Sequence, residues 1–302
     1  MKNLGVDIIY ILNRTQDYRR KETLLEELKF IPGLNYEVIS AVTGDVLPSI
    51  PDMIKSKTLF PVFTDPVGLL TKNIIATALT HQKAYTKFIS SKYNSCLILE
   101  DDARFTKKFY KYIYNGELEK ITKDIKESDY DVVYWGRSNF ADEREIAHTG
   151  KYSEHLNNTE LNIDYYGAHA YQVSKKGAIK IMEQALPVKF PADVLLESLE
   201  LKVYSPDYSM IIQNAGPVTQ GVAHRLMDTL RTIGEESDSL QSSTKEDFDF
   251  KYSNRDKGRY TKQVKECRVY ADIPVEKVTF QNRKLPNGKV VENWASIHLK
   301  KD

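Results

Sequence analysis

The sequence has few of the features that would assign it to a class at first sight. Its 302 residues include two cysteines, Cys96 and Cys267, too few for a disulfide framework or a cysteine-rich metal site. The formal net charge of +1 gives no field that would attract nucleic acid. No apolar run approaches the roughly 18 residues of a membrane span. We therefore expect a soluble chain, cytoplasmic in location, that binds neither nucleic acid nor a membrane.

Glycine-rich phosphate loops are also missing. No predicted strand is followed by Gly-x-Gly-x-x-Gly or by Gly-x-x-x-x-Gly-Lys-Ser/Thr. The sequence therefore gives little support for a dinucleotide-dependent oxidoreductase or a P-loop nucleotidase.

What the sequence does contain is an alternation of strand and helix patterns. Apolar runs predict strands at 6–12, 36–42, 95–99, 130–135 and 169–173. Helical patterns lie between or after them, with Thr71 and Ser174 as caps, at 18–29, 72–90, 107–128, 174–184 and from about Asp193. The proline-punctuated stretch 48–66 is expected to be irregular. This order predicts an α/β fold, with a mixed, mostly parallel sheet flanked by helices.

The character of the chain changes after about residue 225. Residues 1–225 are predicted to form one domain, and residues 226–302 a C-terminal extension packed on it. The segment 235–249 is acidic and serine-rich, as in an exposed loop, and 277–294 has the pattern of a β-hairpin. This hairpin is a candidate cover for a binding cleft or a contact in a homodimer.

An acidic triplet, Glu100-Asp101-Asp102, directly follows the predicted strand 95–99. Ligands of such sheets bind at the carboxyl ends of the strands, where Asn13, Arg14, Thr43, Asp45 and Arg137 are also expected. Adjacent carboxylates repel one another unless a cation lies among them, and Mg²⁺ or Mn²⁺ can bridge carboxylates to a diphosphate. A solvated acidic turn is the plain alternative.

The order of these segments resembles glycosyltransferase family 25. The similar segments are 9–14, 41–44, 70–72 leading to His81, 97–105, 131–137, 170–178 and 191–193. The downstream segments are more similar to the procollagen galactosyltransferase branch than to the lipooligosaccharide branch. The resemblance covers about residues 6–225. It implies a GT-A-like fold, a UDP-sugar donor, Mn²⁺ (or Mg²⁺) and inversion at the anomeric carbon. Two departures are Thr43, where the family commonly has Asp, and the helix at 72–80, which lacks the family's glycines.

The resemblance also implies roles for individual residues. Asp102 is the expected main metal ligand, with Asp101 as a ligand or ribose contact and His224 completing the metal shell. Asp193 is the expected base for the acceptor hydroxyl. The other contacts to the donor are expected from Asn13, Arg14, Arg19, Thr43, His81, Glu100 and Arg137.

Plainer roles stay open for most of these side chains. Asp193 has the position of a helix N-cap. His81 shares a helical face with Ala78 and Tyr85, as a hydrogen-bonded core histidine would. His224 has the alternative of being a surface histidine, and Arg14 and Arg19 that of being solvated charges at a helix end. The alternative for Arg137 is an ion pair with a neighbouring acid.

We therefore expect a metal-dependent, inverting glycosyltransferase that moves galactose or glucose from a UDP-sugar to a hydroxyl acceptor. The favoured acceptor is hydroxylysine of a collagen-like protein, and a glycan or lipooligosaccharide hydroxyl is the alternative. A catalytically silent sugar-nucleotide-binding module and a metal-dependent phosphohydrolase are the alternative functions.

Overall fold

The computed structural model describes residues 4–31, 33–65, 69–136, 148–159, 167–213, 268–269, 275–284 and 290–301. Its helices are α1 (Tyr18–Leu28), α2 (Ile50–Lys55), α3 (Lys72–Ile89), α4 (Lys107–Asn115), α5 (Glu117–Glu127), α6 (Lys175–Ala185) and α7 (Ala192–Glu197). Its strands are β1 (Ile8–Asn13), β2 (Tyr36–Ser40), β3 (Val62–Asp65), β4 (Leu69–Leu70), β5 (Ser95–Glu100), β6 (Ala103–Phe105), β7 (Val132–Gly136), β8 (His148–Lys151), β9 (Asn157–Thr159), β10 (Ala170–Ser174), β11 (Val203–Ser205), β12 (Ile211–Gln213), β13 (Arg268–Val269), β14 (Val275–Lys284) and β15 (Val290–Leu299).

A central sheet of eight strands has the order β2-β1-β5-β10-β7-β11-β9-β8. β1 pairs in parallel with both β2 and β5, and β7 pairs in parallel with β11. β10 and β9 run against their neighbours, so six of these eight strands point the same way. The predicted α/β class with a mixed sheet flanked by helices is thus confirmed, and the arrangement is consistent with a GT-A-like fold.

The two faces of this sheet carry separate hydrophobic cores because successive side chains of a strand point to opposite faces. From β1, Ile9 and Ile11 join one core with residues of α1, α4 and α5. Tyr10 and Leu12 join the other with residues of α3 and α6. Every residue of β1 is buried, as the continuous apolar pattern predicts.

Helix boundaries follow local capping chemistry. The Thr71 and Ser174 side chains accept hydrogen bonds from backbone N–H groups in the first turns of α3 and α6, which confirms both predicted caps. The helical region predicted at 107–128 is two helices, because Gly116 between α4 and α5 has a left-handed backbone with φ of 82°.

The stretch predicted to be irregular, 48–66, contains both α2 and β3. β3 pairs with β15, and β15 pairs with β14, so the predicted C-terminal hairpin forms two strands of a three-stranded sheet. Ile297 of β15 lies in a core cluster with Phe63 and Leu70. The prediction for 48–66 was wrong because β3 finds its partner more than 200 residues away in sequence. The loop predicted at 235–249 lies outside the described residues, and the boundary at 225 stays a prediction.

The helices of the described ranges were also tested for length and apolar character. None of them has both the length and the hydropathy needed to cross a membrane.

Candidate active site at the carboxyl edge of the sheet

The acidic triplet lies beside the end of β1. β1 and β5 are parallel neighbours, with Leu12 opposite Glu100. In this register both strands end at the same edge of the sheet. The Asn13 side chain donates a hydrogen bond from Nδ2 to Asp101 Oδ2 at 2.7 Å. The expected convergence of Asn13 with the triplet therefore exists in the structure.

Two carboxylates of the triplet are withdrawn from solvent. Asp101 and Asp102 are 6% and 4% exposed, whereas the Glu100 side chain is 24% exposed. Burial raises the pKa of Asp101, against the opposing charge of Arg20 and the hydrogen bond from Asn13. Asp101 and Asp102 thus lie in a buried cluster and not in a solvated turn.

The positive charge among these acids comes from Arg20. Its Nη2 lies 3.0 Å from Asp101 Oδ1 and also contacts Asp102 Oδ2. The neighbouring Arg19, expected to bind phosphate, is exposed, and its Nε donates to the Tyr18 hydroxyl at 3.2 Å. Sequence periodicity contained the signal for Arg20, which is four residues before the buried Leu24 and seven before the buried Glu27 of α1.

A second arginine, Arg104, hydrogen-bonds to the backbone of the acidic triplet. Arg104 Nη1 donates to the Asp101 carbonyl at 3.0 Å, and Arg104 Nη2 donates to the Arg20 carbonyl at 3.2 Å. Its Nε lies 3.9 Å from Glu27 Oε1, and Glu27 also accepts from the Phe105 backbone N–H at 2.9 Å. This buried network couples the backbone of α1 to that of the acidic loop.

Arg20 does not compensate the whole charge of the cluster. Asp102 Oδ1 is buried and has no hydrogen-bond partner among the described residues. Burial first, and then the charge of Glu100, raise the pKa of Asp102 to about 7 even with Arg20 beside it. An added positive charge at this oxygen would therefore be favourable.

Gln213, which the sequence analysis did not single out, closes one side of the cluster. Its Nε2 lies 3.3 Å from Asp102 Oδ2 and 3.5 Å from Glu100 Oε2. β12 carries Gln213 and pairs with β6, and it approaches Gly136 so closely that a Cβ there would lie 1.6 Å from the Ile211 carbonyl oxygen. No sequence pattern links residues more than 100 positions apart, so only the fold could reveal this contact.

His81 reaches the triplet from the other face. It is 1% exposed on α3, and its Nε2 lies 3.3 Å from Glu100 Oε1. Its Nδ1 lies 2.8 Å from the Tyr171 hydroxyl. Burial opposes ionisation of Glu100, but the hydrogen bond with His81 and the charge of Arg20 offset it, and the pKa of Glu100 is lowered. His81 is therefore both a core residue and a neighbour of the site.

Asp193 lies in the first turn of α7, whose N-cap is Pro191. Its Oδ1 accepts a hydrogen bond from the Val194 backbone N–H at 2.9 Å. Burial raises the pKa of Asp193, the hydrogen bond from the Val194 backbone opposes the increase, and the charge of Glu100 adds to it. Asp193 is therefore close enough to Glu100 for their charges to interact.

The remaining predicted residues have other surroundings. Arg14 pairs with Asp17 at 2.5 Å and is 39% exposed. A hydrogen bond from Thr43 lowers the pKa of Asp45. Arg137 and His224 lie outside the described residues. Within the described ranges, no group of three or more His, Cys, Asp or Glu side chains has an arrangement that could hold a metal ion.

The fold and the site together define a class of protein. The helix-flanked mixed sheet is consistent with a GT-A-like fold, and its buried carboxylates lie at the carboxyl end of a central strand. Comparisons with known proteins then name the family. Residues 6–196 match the family described as Glycosyltransferase family 25 (LPS biosynthesis protein), and the chain belongs to that family.

Individual relatives are distant. Procollagen galactosyltransferase 1 of Danio rerio is 23% identical over 236 residues, which cover 77% of this chain and 36% of the relative. Procollagen galactosyltransferase 2 of Homo sapiens is 24% identical over 69% of this chain and 35% of the relative. A Glycosyltransferase 25 family member of Drosophila melanogaster is 25% identical over 64% of this chain and 30% of the relative. The matched part thus spans about a third of each relative's length.

Proposed function

We propose that this chain is an inverting glycosyltransferase that moves a hexose from a UDP-sugar to a hydroxyl acceptor, with a divalent cation bound at Asp101 and Asp102. The observation that carries the proposal is the unpartnered, buried Oδ1 of Asp102 in a cluster with more negative than positive charge. Family membership supports the transferase class.

The donor set suits Mn²⁺ or Mg²⁺. Carboxylate oxygens are the ligands that these ions prefer, and Asp102 Oδ1 is available to one. Asp102 would be the main ligand and Asp101 the second, with His224 as a proposed further ligand. When bound, the cation would offset the charge that grows on the departing diphosphate.

The residues of the chain supply the other requirements of the reaction. Arg20 brings a guanidinium to the same edge of the sheet and could pair with a phosphate oxygen of the donor. Asp193 is the proposed base, because its raised pKa increases its affinity for the proton of an acceptor hydroxyl. The Val194 N–H holds Asp193 Oδ1 and leaves the other carboxylate oxygen for that proton.

The favoured sugar and acceptor rest on the relatives. Two of them bear the name procollagen galactosyltransferase, so galactose is the first donor sugar to test and glucose the second. Hydroxylysine in a collagen-like peptide is the first acceptor, and a glycan hydroxyl is the second.

A panel of UDP-sugars with and without Mn²⁺ tests the proposal. We expect Mn²⁺-dependent release of UDP from one donor, increased by the correct acceptor. Asp102→Asn should lower the rate by about a hundredfold or more, because it removes a charged ligand. Asp129→Asn is the matched control, since Asp129 is exposed and pairs with two lysines. Undiminished turnover in Asp102→Asn would disprove the metal assignment.

A catalytically silent sugar-nucleotide-binding module is the second candidate. Thr43 in place of the family's Asp, the helix 72–80 without the family's glycines, and the Arg20 contacts with both aspartates favour it. Calorimetry distinguishes the two functions. Binding of UDP without transfer or hydrolysis across the donor panel would support the silent module, and turnover of any donor would eliminate it.

A further inference from the structure

A chain of hydrogen bonds leads from the core of the protein to the acidic triplet. The Tyr85 hydroxyl contacts the Tyr171 hydroxyl, which lies 2.8 Å from His81 Nδ1, and His81 Nε2 lies 3.3 Å from Glu100 Oε1. Tyr85 and Tyr171 are 2% and 0% exposed. The His81 and Tyr171 rings are stacked, with centroids 5.8 Å apart and planes 18° apart. Four side chains on α3, β5 and β10 are therefore joined in one line.

The Glu100 carboxylate, at one end of this series of hydrogen bonds, determines which atom donates in each of them. An ionised Glu100 only accepts hydrogen bonds, so the facing His81 Nε2 must carry the hydrogen. In a neutral imidazole the other nitrogen, Nδ1, is then an acceptor and takes the hydrogen of the Tyr171 hydroxyl. The Tyr171 oxygen in turn accepts from the Tyr85 hydroxyl. Every donor of the chain then points toward Glu100.

The two other protonation states fit less well. With the hydrogen on Nδ1 only, the Nε2 lone pair would face the Glu100 carboxylate. With both nitrogens protonated, Tyr171 would have to donate to Tyr85. The hydroxyl hydrogen of Tyr85 would then lose its acceptor, the Tyr171 oxygen. A buried donor without an acceptor is costly, because its hydration is lost without replacement.

We propose that Tyr171 and Tyr85 are positioning residues that hold His81 as the neutral Nε2–H tautomer, with that N–H directed at Glu100. The second Glu100 oxygen, Oε2, is thereby turned toward Gln213 and the cluster that contains Asp102. The charge of Glu100 also raises the pKa of Asp193. The orientation of Glu100 therefore affects both the cluster that contains Asp102 and the proposed base. The kinetic consequence rests on the proposed function, and the tautomer does not.

Nitrogen-15 NMR of histidine-labelled full-length protein tests the tautomer directly. The chain has six histidines, and comparison with His81→Gln assigns the signals of His81. We expect a protonated shift at Nε2 and an unprotonated shift at Nδ1. An imidazolium or an Nδ1–H tautomer in the wild type would overturn the proposal, whether or not any variant folds.

Three tyrosine variants test the positioning. Tyr171→Phe should move the Nδ1 shift toward that of a free unprotonated nitrogen and lower kcat by about tenfold, with a smaller change in KM. Tyr85→Phe leaves Tyr171 as the donor, so the Nδ1 shift should stay and kcat should fall by less than about threefold. Tyr10→Phe is the control. It removes the hydroxyl of a buried tyrosine from the same core cluster.

The outcomes separate this proposal from the proposed function. An unchanged Nδ1 shift in Tyr171→Phe, or equal losses of kcat in Tyr171→Phe and Tyr10→Phe, would refute positioning. A wild type without turnover on any donor would contradict the proposed function, while the NMR shifts would still decide for or against the tautomer.

Discussion

Removing the charge of Arg20 is the most informative test of the electrostatics of this site. Arg20 contacts two carboxylates that are 6% and 4% exposed, and within the described residues it is the cation in direct contact with both. In Arg20→Gln these carboxylates stay buried next to Glu100 without that charge. We expect a destabilised protein whose loss of stability a divalent cation partly reverses.

The size of the effect can be worked from the geometry. At the 3.0 Å between Arg20 and Asp101, Coulomb's law gives about 1.4 kcal/mol in water and about 5.5 kcal/mol at an effective dielectric constant near 20. The Arg20 side chain is 26% exposed, which favours an intermediate value. Protonation of Asp102, with a pKa of about 7, absorbs part of the loss. We expect the free energy of unfolding to fall by about 2–3 kcal/mol.

Urea denaturation followed by circular dichroism, at a pH above the pKa of Asp102, measures this loss. Arg19→Gln is the matched control, because it removes the same charge from the adjacent, exposed position and should leave the free energy of unfolding almost unchanged. Added Mn²⁺ should restore more stability to Arg20→Gln than to the wild type. Equal free energies of unfolding for the two variants would refute the argument from charge compensation.

Three further predictions concern the fold around the site. Gly136→Ala should cost more than about 3 kcal/mol in urea denaturation, because its Cβ would lie 1.6 Å from the Ile211 carbonyl oxygen; a loss below 1 kcal/mol would contradict that contact. Thr71→Ala should cost about 1 kcal/mol in the same assay, and Thr71→Ser, which keeps the cap, much less. Hydrogen bonds from Lys176 and Lys202 lower the pKa of Asp129 to about 2, so its ionised form stabilises the fold above about pH 4, and this contribution is lost as pH falls through about 2. Thermal unfolding from pH 5 to 2 should therefore show a shallower acid decline in Asp129→Asn, and identical slopes would exclude the ion pairs.

Local patterns were sufficient for the central elements. The continuous apolar runs of β1 and β5 predict buried strands, because a strand covered on both faces has no polar side. The Thr71 and Ser174 side chains signal helix starts, because their oxygens accept from first-turn N–H groups. Carboxylates directly after β5 were predicted at the carboxyl edge, and β1 brings Asn13 to the same edge.

Longer-range contacts decided the rest. β3 was missed because its hydrogen-bond partner is β15, and short strands without a local partner carry a weak sequence signal. Arg20 differs from Arg19 by one step of a helix, about 100° of rotation, so packing of α1 determines which arginine meets the acids.

The sequence by itself determined the α/β class, the family and the acidic triplet, because these depend on periodicity and on short segments in a set order. Only the tertiary structure decided the charge state of that triplet. Burial, the Arg20 guanidinium, the Gln213 amide and the His81 imidazole act through distances of 2–4 Å between segments far apart in the chain. Such distances depend on the packing of whole helices against the sheet, which no local pattern encodes.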